Sequence, residues 1–407
     1  DTITVRDTGA VATIDGGSGS DTITIANTGA VMTVRAGMDN DVVHVQKTGG
    51  VASIDGGSGN DAIRLGSGVG TVDGIDGMLT VNGGVGTDTL VIDDSGDTTA
   101  NTGVLSSATI DGLGFIGTTT YLAMEAVEIE LGSGADDFTV VTTHTGTTWL
   151  DGGAGADTIE VQRTSGILTL DGGDHGDTID VLDTGAIATF YGGAGNDAIT
   201  VRDTGAVATI DGGSGEDTII VQDTGAVLTV RAGMDNDDIH VQKIGAVASI
   251  DGGSGDDTIR LGSSAGVVDG LDGMITVNGG VGTDTLMVDD SGDTAANTGV
   301  LSSATIDGLG FTGTTTYLAM EVLDIALGSG ADDFTVVTTH TGETRIDTGA
   351  GADTVEVQRT SGILTLETGD GDDVITVRDT RAEVTVDGGA GADTITVRDT
   401  GAVATFR

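Results

Sequence analysis

An aspartate returns every 20 residues over much of this chain: Asp1, Asp21, Asp41 and Asp61, then Asp157, Asp177, Asp197, Asp217, Asp237 and Asp257. Most of these close a glycine-rich stretch. Asp15-Gly16-Gly17-Ser18-Gly19-Ser20-Asp21-Thr22-Ile23-Thr24 is one, and variants occupy 56–63, 152–159, 212–219, 252–259 and 388–395. Glycine reaches φ > 0 and lets backbone carbonyls crowd one point. The aspartate adds a carboxylate there. An all-oxygen donor set, without sulfur or imidazole, suits a hard cation, Ca²⁺ above all. Ile23 then points away, into a core. One stretch supplies a turn, a ligand and a strand start.

The elements that must position these loops follow from the rest of the 20-residue unit. Ile3 and Val5 alternate with Thr2 and Thr4, the pattern of a strand with one buried face. Asp7-Thr8-Gly9 is a tight turn, with Gly9 permitting φ > 0. A second strand runs from Ala10 to Ile14. Glu383 holds the place of Val11 in a later unit, so Val11 and Thr13 should face out, and Ala10, Ala12 and Ile14 in. Two short strands and two turns make one coil of a parallel β-solenoid. Stacked coils lie ~4.8 Å apart, so Asp21, Asp41 and Asp61 fall into a column. Neighbouring carboxylates repel by about 1 kcal/mol in water and more at lower dielectric. A divalent cation between loops converts that repulsion into coordination.

A longer period of 196 residues encloses the short one: Asp1 matches Asp197, Asp88 matches Asp284, and Phe138 matches Phe334. The expected organisation is a module at 1–196, a second at 197–392, and the start of a third at 393–407. Units 61–87 and 257–283 are longer. Segments 88–135 and 284–331 depart most and read as enlarged coils carrying a surface insertion.

Composition bounds the reading. The 407 residues include Gly 72, Pro 0 and Cys 0, with aromatics at 2% and a formal net charge of -49. Such acidity alone reads as disorder. Strict β-branched periodicity opposes that and points to order that depends on cations. The lack of cysteine removes disulfides as a staple. Fifteen basic residues (Lys+Arg 15) disfavour nucleic acid as a partner. No run approaches the ~20 apolar residues of a membrane span. Asp1 in place of Met, with no leader in view, suggests a mature piece of a longer chain.

The loops read G-G-x-G-x-D-x-U-x, with U a large aliphatic residue. In this they resemble the nonapeptides of the hemolysin-type calcium-binding family, the RTX proteins. The resemblance covers most of the chain and implies an all-β, right-handed parallel β-roll or β-solenoid. It carries the calcium-ligand role onto Asp21, Asp41, Asp61, Asp88, Asp136, Asp157, Asp177 and Asp197, and onto Asp217, Asp237, Asp257, Asp284, Asp332, Asp353, Asp373 and Asp393. Loop backbone at Gly17, Gly19, Gly57, Gly59, Gly153, Gly155, Gly213, Gly215, Gly253, Gly255, Gly389 and Gly391 would join them. Three loops depart from the pattern: 35–41 reads RAGMDND, 347–353 DTGAGAD and 367–373 ETGDGDD. The opposite edge carries Asp7-Thr8-Gly9-Ala10, so multiple ions are expected in one column along one edge. Asp7, Asp183, Asp203, Asp223, Asp379 and Asp399 read as turn formers.

Other features point less far. Outward Val11, Val31 and Val51 form an apolar ladder, read either as β-propensity or as a lateral contact face. Outward Thr2 and Thr4 invite an ice-binding reading, but Val42, His44, Ala62 and Arg64 break that ladder. His44, His144, His175, His240 and His340 read as solvated strand residues. No G-x-S-x-G, Walker loop or H-E-x-x-H is present, and the single Trp149 becomes Arg345 in the second copy, so no enzyme is expected. The reading is a calcium-stabilised extracellular structural rod at the cell surface: part of a fibre, sheath or adhesin stalk, self-associating end to end or laterally. Near-duplicate modules lengthen an object. At roughly nine coils per module the axial advance would be on the order of 40 Å. The alternatives are the calcium-binding carrier region of a secreted RTX enzyme or toxin, and a calcium-dependent adhesion module that binds through 88–135 and 284–331.

Overall fold

The computed structural model describes all residues from 1 to 407. The fold is an all-β parallel β-solenoid of 40 strands with no helix, so no helix is long and apolar enough to cross a membrane. Contacts group the chain into two compact units: Asp1–Ile199 with Gly205–Ala208, and Thr200–Thr204 with Thr209–Arg407.

In the first unit every coil contributes one strand to each of two sheets. Thr2–Val5 pairs in parallel with Thr22–Ile25, followed by Val42–Val45 and Ala62–Leu65. Ala12–Ser18 pairs with Met32–Met38, then Ala52–Ser58 and Leu79–Val85 in the second sheet. Residues 20 apart are register partners, as Ile3 is to Ile23. The exact repeat therefore stacks like on like. Ile23, Ile25, Val34, Val43 and Val45 fill the space between the sheets and are fully buried. Apolar side chains one residue out of step face solvent: Val11, Val31 and Val51 are 75%, 47% and 52% exposed.

The tight turn differs from expectation. Positive φ falls on Asp7 (52°), Asp379 (38°) and Asp399 (53°), and not on Gly9. Thr28, Thr48, Thr164 and Thr184 are buried and bridge coil to coil, as in Thr8–Thr28–Thr48. Ala10, expected inside, lies exposed on the turn.

Segment 88–135 holds a feature that alternation alone did not reveal. Thr102–Leu105, Thr109–Gly112 and Phe115–Leu122 form an antiparallel meander inside the second sheet. Its outer strands return to parallel pairing, with Asp137–Val140 on one side and Leu79–Val85 on the other. Three passes with two reversals amount to one net crossing, which is half a coil. Beyond the meander the strand types have changed sheets. Thr147–Asp151 and Ile167–Asp174 now sit in the first sheet, and Thr158–Val161 and Thr178–Val181 in the second. The second unit repeats this with Thr298–Leu301, Thr305–Gly308 and Thr314–Leu318.

Candidate metal-binding ladders

The sixteen aspartates singled out by spacing lie at the loops between sheets, but not in one column. Loops ending in Asp21, Asp41, Asp61 and Asp88 pass from the second sheet to the first. Loops ending in Asp136, Asp157 and Asp177 pass from the first sheet to the second. The half-coil meander thus moves the ladder to the opposite edge, which corrects the expectation of a single edge. In the second unit Asp237, Asp257 and Asp284 lie on one edge, and Asp332, Asp353, Asp373 and Asp393 on the other.

Within each ladder the carboxylates are tied to backbone. Asp21 N–H donates to Asp41 Oδ1 at 2.7 Å, Asp41 to Asp61 at 2.8 Å, and Asp61 to Asp88 at 2.8 Å. Glu125 ends the series, its Oε2 accepting from Asp88 N–H at 2.8 Å. The next ladder opens at Asn101 N–H on Asp136 and runs through Asp157 and Asp177 to Asp197. The second unit has Asp217 through Asp237, Asp257 and Asp284 to Glu321, and Asn297 through Asp332, Asp353 and Asp373 to Asp393. All of the ladder aspartates but Asp393 are buried.

The second carboxylate oxygen is the informative one. Oδ2 of Asp21, Asp41, Asp61, Asp88, Asp157, Asp177, Asp237, Asp257, Asp284 and Asp373 is buried with no hydrogen-bond partner. The first loop glycine explains where it points. A Cβ on Gly16 would lie 2.6 Å from Asp21 Oδ2 and 2.3 Å from the carbonyl oxygen of Ala36 in the next coil. At Gly172 the same point lies 2.6 Å from Asp177 Oδ2 and 2.5 Å from Gly192 O. Two acceptors crowd one place, and no donor serves the carboxylate oxygen. A buried, unpaired acceptor costs about 1–3 kcal/mol, more when charged.

Electrostatics record the same shortage. Burial, then neighbouring carboxylates, push Asp177 and Asp237 up to about 7 and Asp157 to about 6, against the lowering effect of the backbone N–H. Asp41, Asp61, Asp88, Asp257 and Asp284 are raised by the same first cause. Buried oxygen acceptors short of positive charge fit a hard divalent cation. No three carboxylates or imidazoles converge on one point, so an ion here would draw on one or two aspartates and on loop carbonyls. The named loop glycines, Gly17 and Gly19 through Gly389 and Gly391, all take positive φ. Gly16 does not; its place is required by close approach instead.

Other residues fall outside the ladders. Asp7, Asp183, Asp223 and Asp379 stay at the tight turns and pair with surface groups, such as Lys243 Nζ to Asp223 Oδ2 at 2.6 Å. His144 and His340 are not solvated: they are buried edge-on against Tyr121 and Tyr317 at 6.0 and 6.1 Å. Buried Asp94 and its counterpart Asp290, both raised to about 7 by burial, went unnoticed in the sequence. The run Asp93-Asp94-Ser95-Gly96-Asp97 was their only signal. Asp94 is satisfied by Val72 N–H and Asn101 Nδ2.

No protein-family model matches the chain, and no curated protein matches it. Among solved structures it is similar to a hyperactive, Ca²⁺-dependent, beta-helical antifreeze protein from an Antarctic bacterium, at 19% identity and a TM-score of 0.25, over 94% of this chain and 83% of that one.

Proposed function

We propose that this chain is a calcium-stabilised extracellular structural rod, part of a surface fibre, sheath or adhesin stalk. One observation carries the reading: ladders of buried aspartates whose Oδ2 atoms face a neighbouring carbonyl with no donor between them. Calcium at these loops would supply the missing positive charge. Asp21, Asp61, Asp157, Asp177 and Asp257, with the carbonyls beside them, would hold it. Binding free energy is then folding free energy. Repetition of the ladders supports a load-bearing role over a single active centre, and the nonapeptide resemblance agrees. The test is circular dichroism of the metal-stripped chain at neutral pH and low salt. Calcium should convert an expanded spectrum into a β spectrum. A full β spectrum without divalent ions, unchanged by their addition, would refute the reading.

A second reading has an observation of its own. Cavities of about 470 Å³ and about 560 Å³ occur at equivalent places in the two units, lined by Tyr121, Glu125 and His144 and by Tyr317, Glu321 and His340. They favour an adhesion module that takes a small ligand beside each meander. Soaking with saccharide and peptide libraries would test it; no binding at either cavity would set it aside.

A further inference from the structure

Loop 347–353 has Thr348 where other loops have their first glycine. Thr348 is fully buried. Its Oγ1 donates to Asp353 Oδ2 at 2.7 Å and lies 3.3 Å from Thr368 O of the next coil. Those are the two kinds of acceptor that confront each other unserved across Gly16, Gly152 and Gly172. Asp353 Oδ1 already accepts from Asp332 N–H at 2.8 Å. Both oxygens of Asp353 are therefore satisfied by protein, while its counterpart 196 residues earlier, Asp157, keeps a buried Oδ2 without a partner. At Gly152 a Cβ would meet Gly172 O at 2.2 Å and Asp157 Oδ2 at 3.0 Å. Whatever side chain stands there enters the space the cation's charge would serve.

We infer that Thr348 closes its coil to calcium, its hydroxyl serving as a built-in substitute for the ion, so that the residue at this loop position decides which coils are metal-dependent. The comparison with other substitutions isolates the hydroxyl. Ala36 and Ala232 fill the same position with a methyl group, and Asp41 and Asp237 still carry an unpartnered Oδ2. Thr368 turns its hydroxyl to Gly388 O at 3.1 Å, and Asp373 Oδ2 stays unserved. Filling the space is not enough; a donor must reach the carboxylate. Thr348 does so.

This inference rests on calcium binding at the glycine loops, and the experiment separates the two. Native mass spectrometry of the full 407-residue chain counts bound Ca²⁺ one ion at a time. T348G should raise the count by one, T348S should leave it unchanged, and the reciprocal G152T should lower it by one. T348G should also shift calcium-driven folding to higher calcium than the parent needs, a readout that remains when both chains are unfolded without metal. An unchanged count in T348G, in a parent chain that does bind calcium, overturns the inference. A parent chain that binds no calcium overturns the proposed function instead.

Discussion

Asp177→Asn separates the two demands placed on a ladder carboxylate. Asparagine keeps an Oδ1 to accept from Asp157 N–H, now at 2.8 Å. It replaces Oδ2 by an amide donor beside Gly192 O, and it cannot ionise. The size of the effect follows from the carboxyl's position at about 7, against 3.8 when unperturbed. Below about pH 4 the group is protonated both folded and unfolded, and no penalty exists. As pH rises the unfolded chain ionises first, so the folded state loses stability until the pH passes about 7. Roughly three pKa units at about 1.4 kcal/mol each amount to about 4 kcal/mol. Relaxation and water entry reduce this, so metal-stripped D177N should exceed the parent by about 2–4 kcal/mol at pH 8 and match it near pH 4. In calcium the order reverses, because the variant has lost an anionic ligand. Denaturant unfolding followed by far-UV circular dichroism, in salt high enough to screen the ladders and fold the metal-stripped chain, at both pH values and with and without calcium, gives all four numbers. A metal-stripped D177N no more stable than the parent at pH 8 would show that the Oδ2 charge is already compensated, and the argument would fall.

Three further outcomes follow from the same geometry. Calcium added at pH 6, in salt high enough to keep the metal-stripped chain folded, should release protons, because Asp157 and Asp237 are raised to about 6 and about 7 and the ion binds their ionised forms; a dye-monitored titration in weak buffer measures it, and no acidification counts against binding at those loops. Gly57→Ala combines φ of 102° with a Cβ only 2.1 Å from Gly37 O, so it should cost more than about 2 kcal/mol; a loss under half of that in thermal unfolding would mean the loop shifts easily. His175 holds φ of 85° in a loop position that is glycine in most other loops and aspartate at Asp39 and Asp235, so His175→Gly should stabilise by about 1 kcal/mol, and destabilisation would show that its side-chain contacts outweigh the strain.

The loop aspartates and their glycines were legible because the 20-residue repeat fixes both residue type and stacking register. Which oxygen of Asp41 meets which backbone group was not, since spacing places a side chain without orienting it. The meander escaped notice for a different reason. Thr102–Leu105 and Phe115–Leu122 are short runs of strand-forming residues, and residue type carries no information on strand direction. Val11 and Ile14 were placed correctly from Glu383, an unburied residue type at an equivalent position. Ala10 was placed inside on alternation, yet it lies exposed at the turn while turn threonines such as Thr28 and Thr48 are buried. A small apolar residue beside a threonine gives no hint of that. His144 and Asp94 are polar by type and buried by tertiary context, which periodicity in a non-repeating segment does not encode.

The exchange of ladder edges within a unit has a mechanical side. A column of like charges along one edge is a spring: it lengthens when its charges are bare and shortens when they are neutralised. A beam carrying such a spring on one side only curls as ionic conditions change, in the manner of a bimetallic strip. In the first unit the spring lies on one edge from Asp21 to Asp88 and on the opposite edge from Asp136 to Asp177. The two curvatures oppose each other across the meander. Calcium bound as proposed would then change the stiffness and length of the unit while the two bends offset each other.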